Sequence, residues 1–491
     1  MKKIVAILLV LSAIVAAGAF AQEGETSTMT FAFMGQGTFL PFQIVNYGEN
    51  RTVYGEKGGT RIQSGVGSYF SRTPLMWFTA RASTSRLAMQ AEMYLLETSE
   101  LDVGPMDSFP GTNVKGGYNW VQLGNNAWVE VKPIDWLRFR AGKFYFGDLS
   151  GKNGGTNGFW SYYSVVGVSN DRVFQQFKSH GIHDWNIATP NGFLITAAPI
   201  EGLLVAASVS SAITTGNTRN PLVNPTAWYE ESKWVFQRAQ VAVGYTIDGI
   251  GLARLQYIGD YDHIEHARDC DVVYGDTFGR LSAPMAPALT PAGILGYTFH
   301  QRRIEGAFNL TMLDMVKVDI GAKFYLPVSG TYKIGGVKAF DYSFMQPVNV
   351  AIQATANMDA FRLIAALEGR FMGQNTYKAN GSNTLVVNRP FYLNAHLTPS
   401  YNLGFGTVGG DIGYVFNNAT EYNNHAKAAG FANVDGYSDF GISAWFQMPI
   451  GTGLVGAGLG FAMFNLYADS DVTKANQVIV VSLPISIQYT F

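Results

Sequence analysis

Residues 481–491 read Val-Ser-Leu-Pro-Ile-Ser-Ile-Gln-Tyr-Thr-Phe. Val481, Leu483, Ile485, Ile487, Tyr489 and Phe491 take every second position, while Ser482, Ser486, Gln488 and Thr490 fill the gaps. One face is apolar and the other polar, which is the period of a strand. The same alternation recurs upstream. In 316–326, Val316, Val318, Ile320, Ala322, Phe324 and Leu326 share one phase, against Lys317, Asp319, Gly321, Lys323 and Tyr325. In 361–371, Arg362, Glu368 and Arg370 again keep to the phase opposite Phe361, Leu363, Leu367 and Phe371.

A segment that ends on an aromatic residue, with a second aromatic two positions earlier and apolar alternation before it, resembles the last strand of bacterial outer-membrane β-barrel proteins of the porin type. The resemblance covers the terminal signature and the architecture of the whole mature chain, without identifying a porin subfamily. It implies that Ile487, Tyr489 and Phe491 form the signature read by the barrel-assembly machinery, and that outer-membrane lipid surrounds the apolar face. It leaves open whether protomers form homotrimers.

The opposite end of the sequence agrees. Met1-Lys2-Lys3 is basic, 4–15 is an almost unbroken apolar run, and Ala19-Phe20-Ala21 precedes Gln22, the pattern of a cleaved secretory signal peptide. Residues 1–21 are therefore expected to be the signal and 22–491 the barrel. The apolar run falls short of the roughly 20 residues a spanning helix needs.

Composition narrows the class further. Of 491 residues, 47% are hydrophobic, 14% aromatic and only 14% charged, with 55 glycines. No stretch after Val15 is long and apolar enough for a transmembrane helix, so the apolar residues must alternate, as they do in a lipid-facing barrel. A net charge of -2 supplies no basic stripe to neutralise phosphates, which argues against nucleic acid. Cys270 is the single cysteine and cannot form an internal disulfide; a closed barrel satisfies its backbone hydrogen bonds without such staples.

Tight reversals at 84–85, 133–135, 199–202, 247–251, 313–315, 357–359, 399–404 and 449–453 each separate runs near the 9–11 residues of a tilted membrane strand. With an opening strand at 28–37 and a closing strand at 478–491, these eight hairpins give an all-β, antiparallel transmembrane barrel of eighteen strands. Short turns lie on the side of both termini and long loops opposite, the arrangement of outer-membrane barrels. If the short run 193–198 belongs to a loop, the count falls to sixteen. A charge facing lipid near the midplane costs about 2–4 kcal/mol, so the charged phase belongs to the lumen. Barrels of this width leave an aqueous channel. The expected function is that of a porin passing small hydrophilic solutes, without a cofactor or resident metal and without enzymatic chemistry. The alternative is a surface adhesin that binds through its long loops.

Strand phase assigns Arg81, Arg86, Glu92, Glu130, Lys132, Arg138, Arg140, Arg238 and Arg254 to the pore lining. Clustered guanidinium groups attract anions and offer bidentate contacts, giving a weak anion preference. The competing reading pairs the arginines with Glu92 and Glu130 in a neutral wall. Phe159, Trp160, Tyr162 and Tyr163 crowd the long third loop, 147–192, which has the length to fold inward as a constriction. Trp77, Trp120 and Trp128 share the lumen phase; an aromatic track for sugars and an interfacial girdle both account for them. His180, His183 and Asp184, and the group from Asp262 to Asp271, have metal-like spacing but fall in loops where polar residues are ordinary. Gly451-Thr452-Gly453-Leu454-Val455-Gly456 matches a dinucleotide fingerprint by letter, yet it bridges two strands and opens no helix.

Overall fold

The alternation seen in the sequence is carried by strands throughout the described part of the chain. The computed structural model describes residues 27–53, 56–66, 75–96, 122–146, 187–210, 239–258, 303–326, 328–334, 337–345, 348–371, 374–379, 385–388, 391–418, 437–464 and 478–490. In chain order the strands are β1 (Thr28–Val53), β2 (Glu56–Val66), β3 (Leu75–Ser83), β4 (Leu87–Leu96), β5 (Gln122–Ile134), β6 (Leu137–Phe146), β7 (Ile187–Ala197) and β8 (Leu203–Ser210). They continue as β9 (Gln240–Ile247), β10 (Gly251–Ile258), β11 (Arg303–Leu310), β12 (Val316–Tyr325), β13 (Val328–Ile334), β14 (Val337–Met345), β15 (Val348–Met358) and β16 (Phe361–Phe371). The last are β17 (Gln374–Ala379), β18 (Leu385–Asn388), β19 (Phe391–Asn402), β20 (Thr407–Asn418), β21 (Tyr437–Ile450), β22 (Gly453–Phe464) and β23 (Val478–Thr490).

Antiparallel hairpins form at all eight expected reversals: β3–β4, β5–β6, β7–β8, β9–β10, β11–β12, β15–β16, β19–β20 and β21–β22. Each hairpin pairs with the next, through β4–β5, β6–β7, β8–β9, β10–β11, β12–β15, β16–β19 and β20–β21. β22 pairs with β23, and β1 pairs with both β23 and β3. The succession of pairs therefore returns on itself. Among the described residues β2 pairs with β1. Thr28 pairs with Ser83 beside the first turn and Gln488 with Leu454 beside the last, so both ends of the described ladder lie with the tight turns.

Turn chemistry fixes these reversals. Asp359 has φ 51° in a two-residue connection between the paired Met358 and Phe361. Such loops require positive φ, which Asp tolerates because its short side chain bonds locally. Gly451, with φ 59°, does the same between Ile450 and Gly453.

The two faces differ in kind. Ile320 pairs with Ile352, and Ile352 with Leu367; their exposures are 45%, 43% and 45%. In the opposite phase Glu305, Gln353 and Asp411 are 1–2% exposed. Apolar residues cover the outside and polar residues are enclosed.

Several boundaries differ from the sequence reading. The opening strand does not stop at 37: β1 runs to Val53 and folds back on β2, so part of the expected first loop is strand. Residues 193–198 are not a short run but the end of β7, which begins at Ile187 and pairs through an irregularity spanning Thr189 to Gly192. Pro190 and Asn191 hid that strand, because proline cannot donate to a ladder. The expected sixth and seventh loops, 327–347 and 373–390, contain a second sheet in the order β13-β14-β17-β18.

Candidate functional site

The inward rows carry three polar groupings, set by three groups of neighbouring strands. On β5 and β6 the register places Glu130 opposite Arg140. Arg140 donates to Glu130 Oε2 from Nε at 2.9 Å and from Nη2 at 2.6 Å. Its guanidinium carbon lies 4.1 Å from the Trp128 ring centroid and 5.9 Å from that of Phe144, a cation–π arrangement. The strands approach closely at this point: a Cβ on Gly142, which pairs with Trp128 and has φ 128°, would lie 2.3 Å from the Ala127 carbonyl oxygen.

Trp128 also belongs to an enclosed apolar cluster with Phe144, Leu194, Ala206 and Ala242, one residue from each of five successive strands. All share the inward phase, since Leu194 pairs with Arg140 and with Ser208. The sequence reading placed Trp128 there and missed the rest. The signal was present in β6, where Arg138, Arg140, Gly142 and Phe144 occupy alternate positions.

Of the other expected lining residues on this wall, Arg81 and Arg138 are exposed, and Glu92 accepts a 3.0 Å hydrogen bond from Asn126 Nδ2. Arg86 lies outside the strand that was expected to carry it inward. Thr84 Oγ1 accepts from the Arg86 and Leu87 amides at 3.2 and 3.1 Å, which holds the turn through Arg86 and starts β4 at Leu87. The Arg86 guanidinium then reaches the adjacent turn, 3.4 Å from the Pro133 carbonyl and 3.4 Å from Asp135 Oδ1. Lys132 joins it, 3.7 Å from the same carboxylate. This is a solvated turn cluster, in which exposed ion pairs contribute little stability.

The second grouping crosses β10, β11 and β12. Arg254 donates to Asn309 Oδ1, and Asn309 Nδ2 donates to Asp319 Oδ1, linking a cation to a carboxylate through one amide. Beside it Gln256 Nε2 donates to Glu305 Oε2 at 2.5 Å.

The third, on β19 to β21, surrounds Asp411. Its carboxylate accepts from Thr398 Oγ1 at 2.7 Å, Ser443 Oγ at 2.9 Å and Trp445 Nε1 at 2.9 Å. His396 Nε2 is 3.1 Å from Thr398 Oγ1 and 3.8 Å from Asp411 Oδ1. Glycine makes the room: a Cβ on Gly409 would lie 2.2 Å from Trp445 Cζ2. The sequence did not identify these donors to Asp411.

Arg238, Trp120, the loop aromatics Phe159, Trp160, Tyr162 and Tyr163, both histidine groups, Cys270 and Phe491 lie outside the described residues. Ile487 is exposed on the outer face, and Tyr489 pairs with Gly35 of β1. Among the described residues no group of three His, Cys, Asp or Glu side chains could hold a metal ion.

No protein-family model matches the chain, and no curated protein matches it. Solved structures similar to it include an anion-selective porin from Comamonas acidovorans, at 11% identity and a TM-score of 0.38, covering 95% of this chain and 100% of that one. Another is OmpF of Salmonella typhi in complex with daunomycin, at 11% identity and a TM-score of 0.42, covering 95% and 100%. A third is OccK2 of Pseudomonas aeruginosa in complex with glucuronate, at 9% identity and a TM-score of 0.42, covering 94% and 98%.

Proposed function

We propose that this chain is an outer-membrane porin: a water-filled barrel that passes small hydrophilic solutes by diffusion, exported through a signal peptide and inserted through its last strand by the barrel-assembly machinery. The observation that carries this reading is the inverted distribution of polarity around a ladder that returns on itself. Outward Ile320, Ile352 and Leu367 sit in one hydrogen-bonded row, with Glu305, Gln353 and Asp411 on the inner side. Leaving a Leu or Ile side chain in water rather than burying it costs about 1.5–3 kcal/mol, so repeated rows of this kind call for a hydrocarbon environment. The inner charges are largely matched, as in Arg140 with Glu130 and Arg254 with Asp319 through Asn309. Selectivity is accordingly weak. A weak anion preference would draw on Arg81, whose exposed side chain has the inner phase.

Reconstitution in planar bilayers tests the proposal. Folded protein should give stepwise conductance carried by small ions. Folded protein that never conducts would overturn the porin reading in favour of a barrel that anchors a binding surface built from its long loops.

A further inference from the structure

Two basic side chains stand exposed on the inner face beside the tight turns, apart from the enclosed groupings deeper in the barrel. Lys317 is the second residue of β12 and Arg362 the second of β16. β15 lies between them: Lys317 pairs with Thr355, and Asn357, two residues further along β15, pairs with Arg362. On its other side Arg362 pairs with Ser400 of β19. All share the inner phase, in step with Asp319, Gln353, Glu368 and Thr398 on the same four strands. Lys317, Asn357 and Arg362 are exposed and Ser400 is half-buried.

The neighbouring carboxylates are engaged elsewhere or set in the turns. Lys317 acts through space on Asp319, but that carboxylate is already linked to Arg254 through Asn309. Asp411 accepts from Thr398, Ser443 and Trp445. Asp314 and Asp359 lie in the turns that lead into β12 and β16. Among the described residues no ion pair joins any of these four acids to Lys317 or Arg362.

From this juxtaposition, an exposed lysine and arginine with one strand between them at the turn-side mouth, we infer a binding site for a small dianionic oxyanion of the phosphate class. Two strand spacings of about 4.8 Å and one two-residue step of about 6.6 Å set their Cα atoms roughly 12 Å apart. Side chains of this length close on a single anion from its two sides. The guanidinium offers a planar fork to two oxygens and the ammonium a point charge with three donors, and such charge-assisted bonds to phosphate are the strong ones. Asn357 supplies an amide for a remaining oxygen. Ser400 Oγ lies 3.4 Å from the Arg362 carbonyl oxygen, which keeps a hydroxyl beside the arginine. Chloride carries one charge and no set of oxygens to share among these donors, so the pair favours phosphate over it. The inference rests on the porin reading for its role in permeation, where it would hold phosphate-bearing solutes at one mouth of the channel.

Inorganic phosphate and the refolded full chain in detergent micelles at low salt test it. Phosphorus NMR should show saturable broadening of the phosphate resonance. Affinity should fall at least ten-fold in Lys317→Gln combined with Arg362→Gln, and several-fold in each single variant, so the outcome does not depend on the double variant folding. Arg86→Gln combined with Lys132→Gln removes the same charge from the solvated turn cluster and should stay within two-fold of wild type. Absence of saturable binding would overturn the inference. Equal losses in the two double variants, or displacement of phosphate by an equal concentration of chloride, would also overturn it, because either shows a diffuse ionic attraction. Conductance in planar bilayers separates the two readings. A silent channel that still binds phosphate refutes only the porin, and a conducting one that binds none refutes only the site.

Discussion

Arg140 and Glu130 face each other across the β5–β6 ladder with Nη2 2.6 Å from Oε2, and both side chains are about nine-tenths enclosed, at 10% and 13% exposure. The lining arginine that looked best placed to greet an anion is thus already engaged by a carboxylate and stacked on Trp128. Glu130→Gln should release its charge to the lumen. The reversal potential in a low-salt gradient should then move toward chloride, and the shift should shrink in 1 M salt, where the Debye length falls to about 3 Å. An unchanged reversal potential would mean that Arg140 does not face the permeation path.

Breaking that pair from the other side should cost stability. Arg140→Met strands a largely enclosed carboxylate, and removing one partner of a buried pair costs about 3–5 kcal/mol. Denaturant unfolding of the refolded protein measures this loss. Arg86→Met, which disrupts only the solvated contacts to Asp135, should shift the midpoint far less.

Gly409 exists for Trp445. A Cβ there would fall 2.2 Å from the indole, so Gly409→Ala must push aside a side chain that is 5% exposed and bonded to Asp411. Overpacking of this kind costs about 1–3 kcal/mol. In a Trp445→Ala background the same substitution should cost much less, and a double-mutant cycle reads the coupling. Additive costs would show that the glycine serves the backbone instead of the ring.

What the sequence disclosed and what it hid follow from the same period. Two-residue alternation assigns a face to every residue in a regular strand, so the eight reversals and the inward phase of Arg140, Glu130 and Arg254 were legible. Alternation does not tell which inward residues meet. The Arg254–Asn309–Asp319 chain and the donors to Asp411 depend on the register between neighbouring strands, fixed by pairings such as Asn309 with Asp319 and Asp411 with Ser443. Departures from regularity were the other blind spot. Thr84 holds Arg86 in the turn, and Pro190 breaks the pattern that would have revealed the start of β7.

Topology can be checked by insertion tags on intact cells. Asp314 and Asp359 lie at tight turns, on the side of Thr28 and Thr490, while the segments around Gly381 and Asp435 join the other ends of their strands. Tags at Gly381 and Asp435 should be reachable from outside and those at Asp314 and Asp359 should not. Labelling at Asp359 would invert the proposed orientation.

The outward rows make the sharpest demand on the environment. Ile352 lies in the middle of β15 between Ile320 and Leu367, so in a bilayer Ile352→Lys places an ammonium near the midplane, at a cost of about 2–4 kcal/mol. On a water-soluble barrel the same change would replace an exposed isoleucine with a solvated lysine and cost almost nothing. Thr79→Lys is the matched control, because Thr79 has the inner phase and pairs with Glu92, which can accept the new charge. Refolding both variants into lipid vesicles under denaturant should show Ile352→Lys strongly destabilised and Thr79→Lys near wild type. The reverse ranking would exchange inside for outside and remove the basis for a membrane pore.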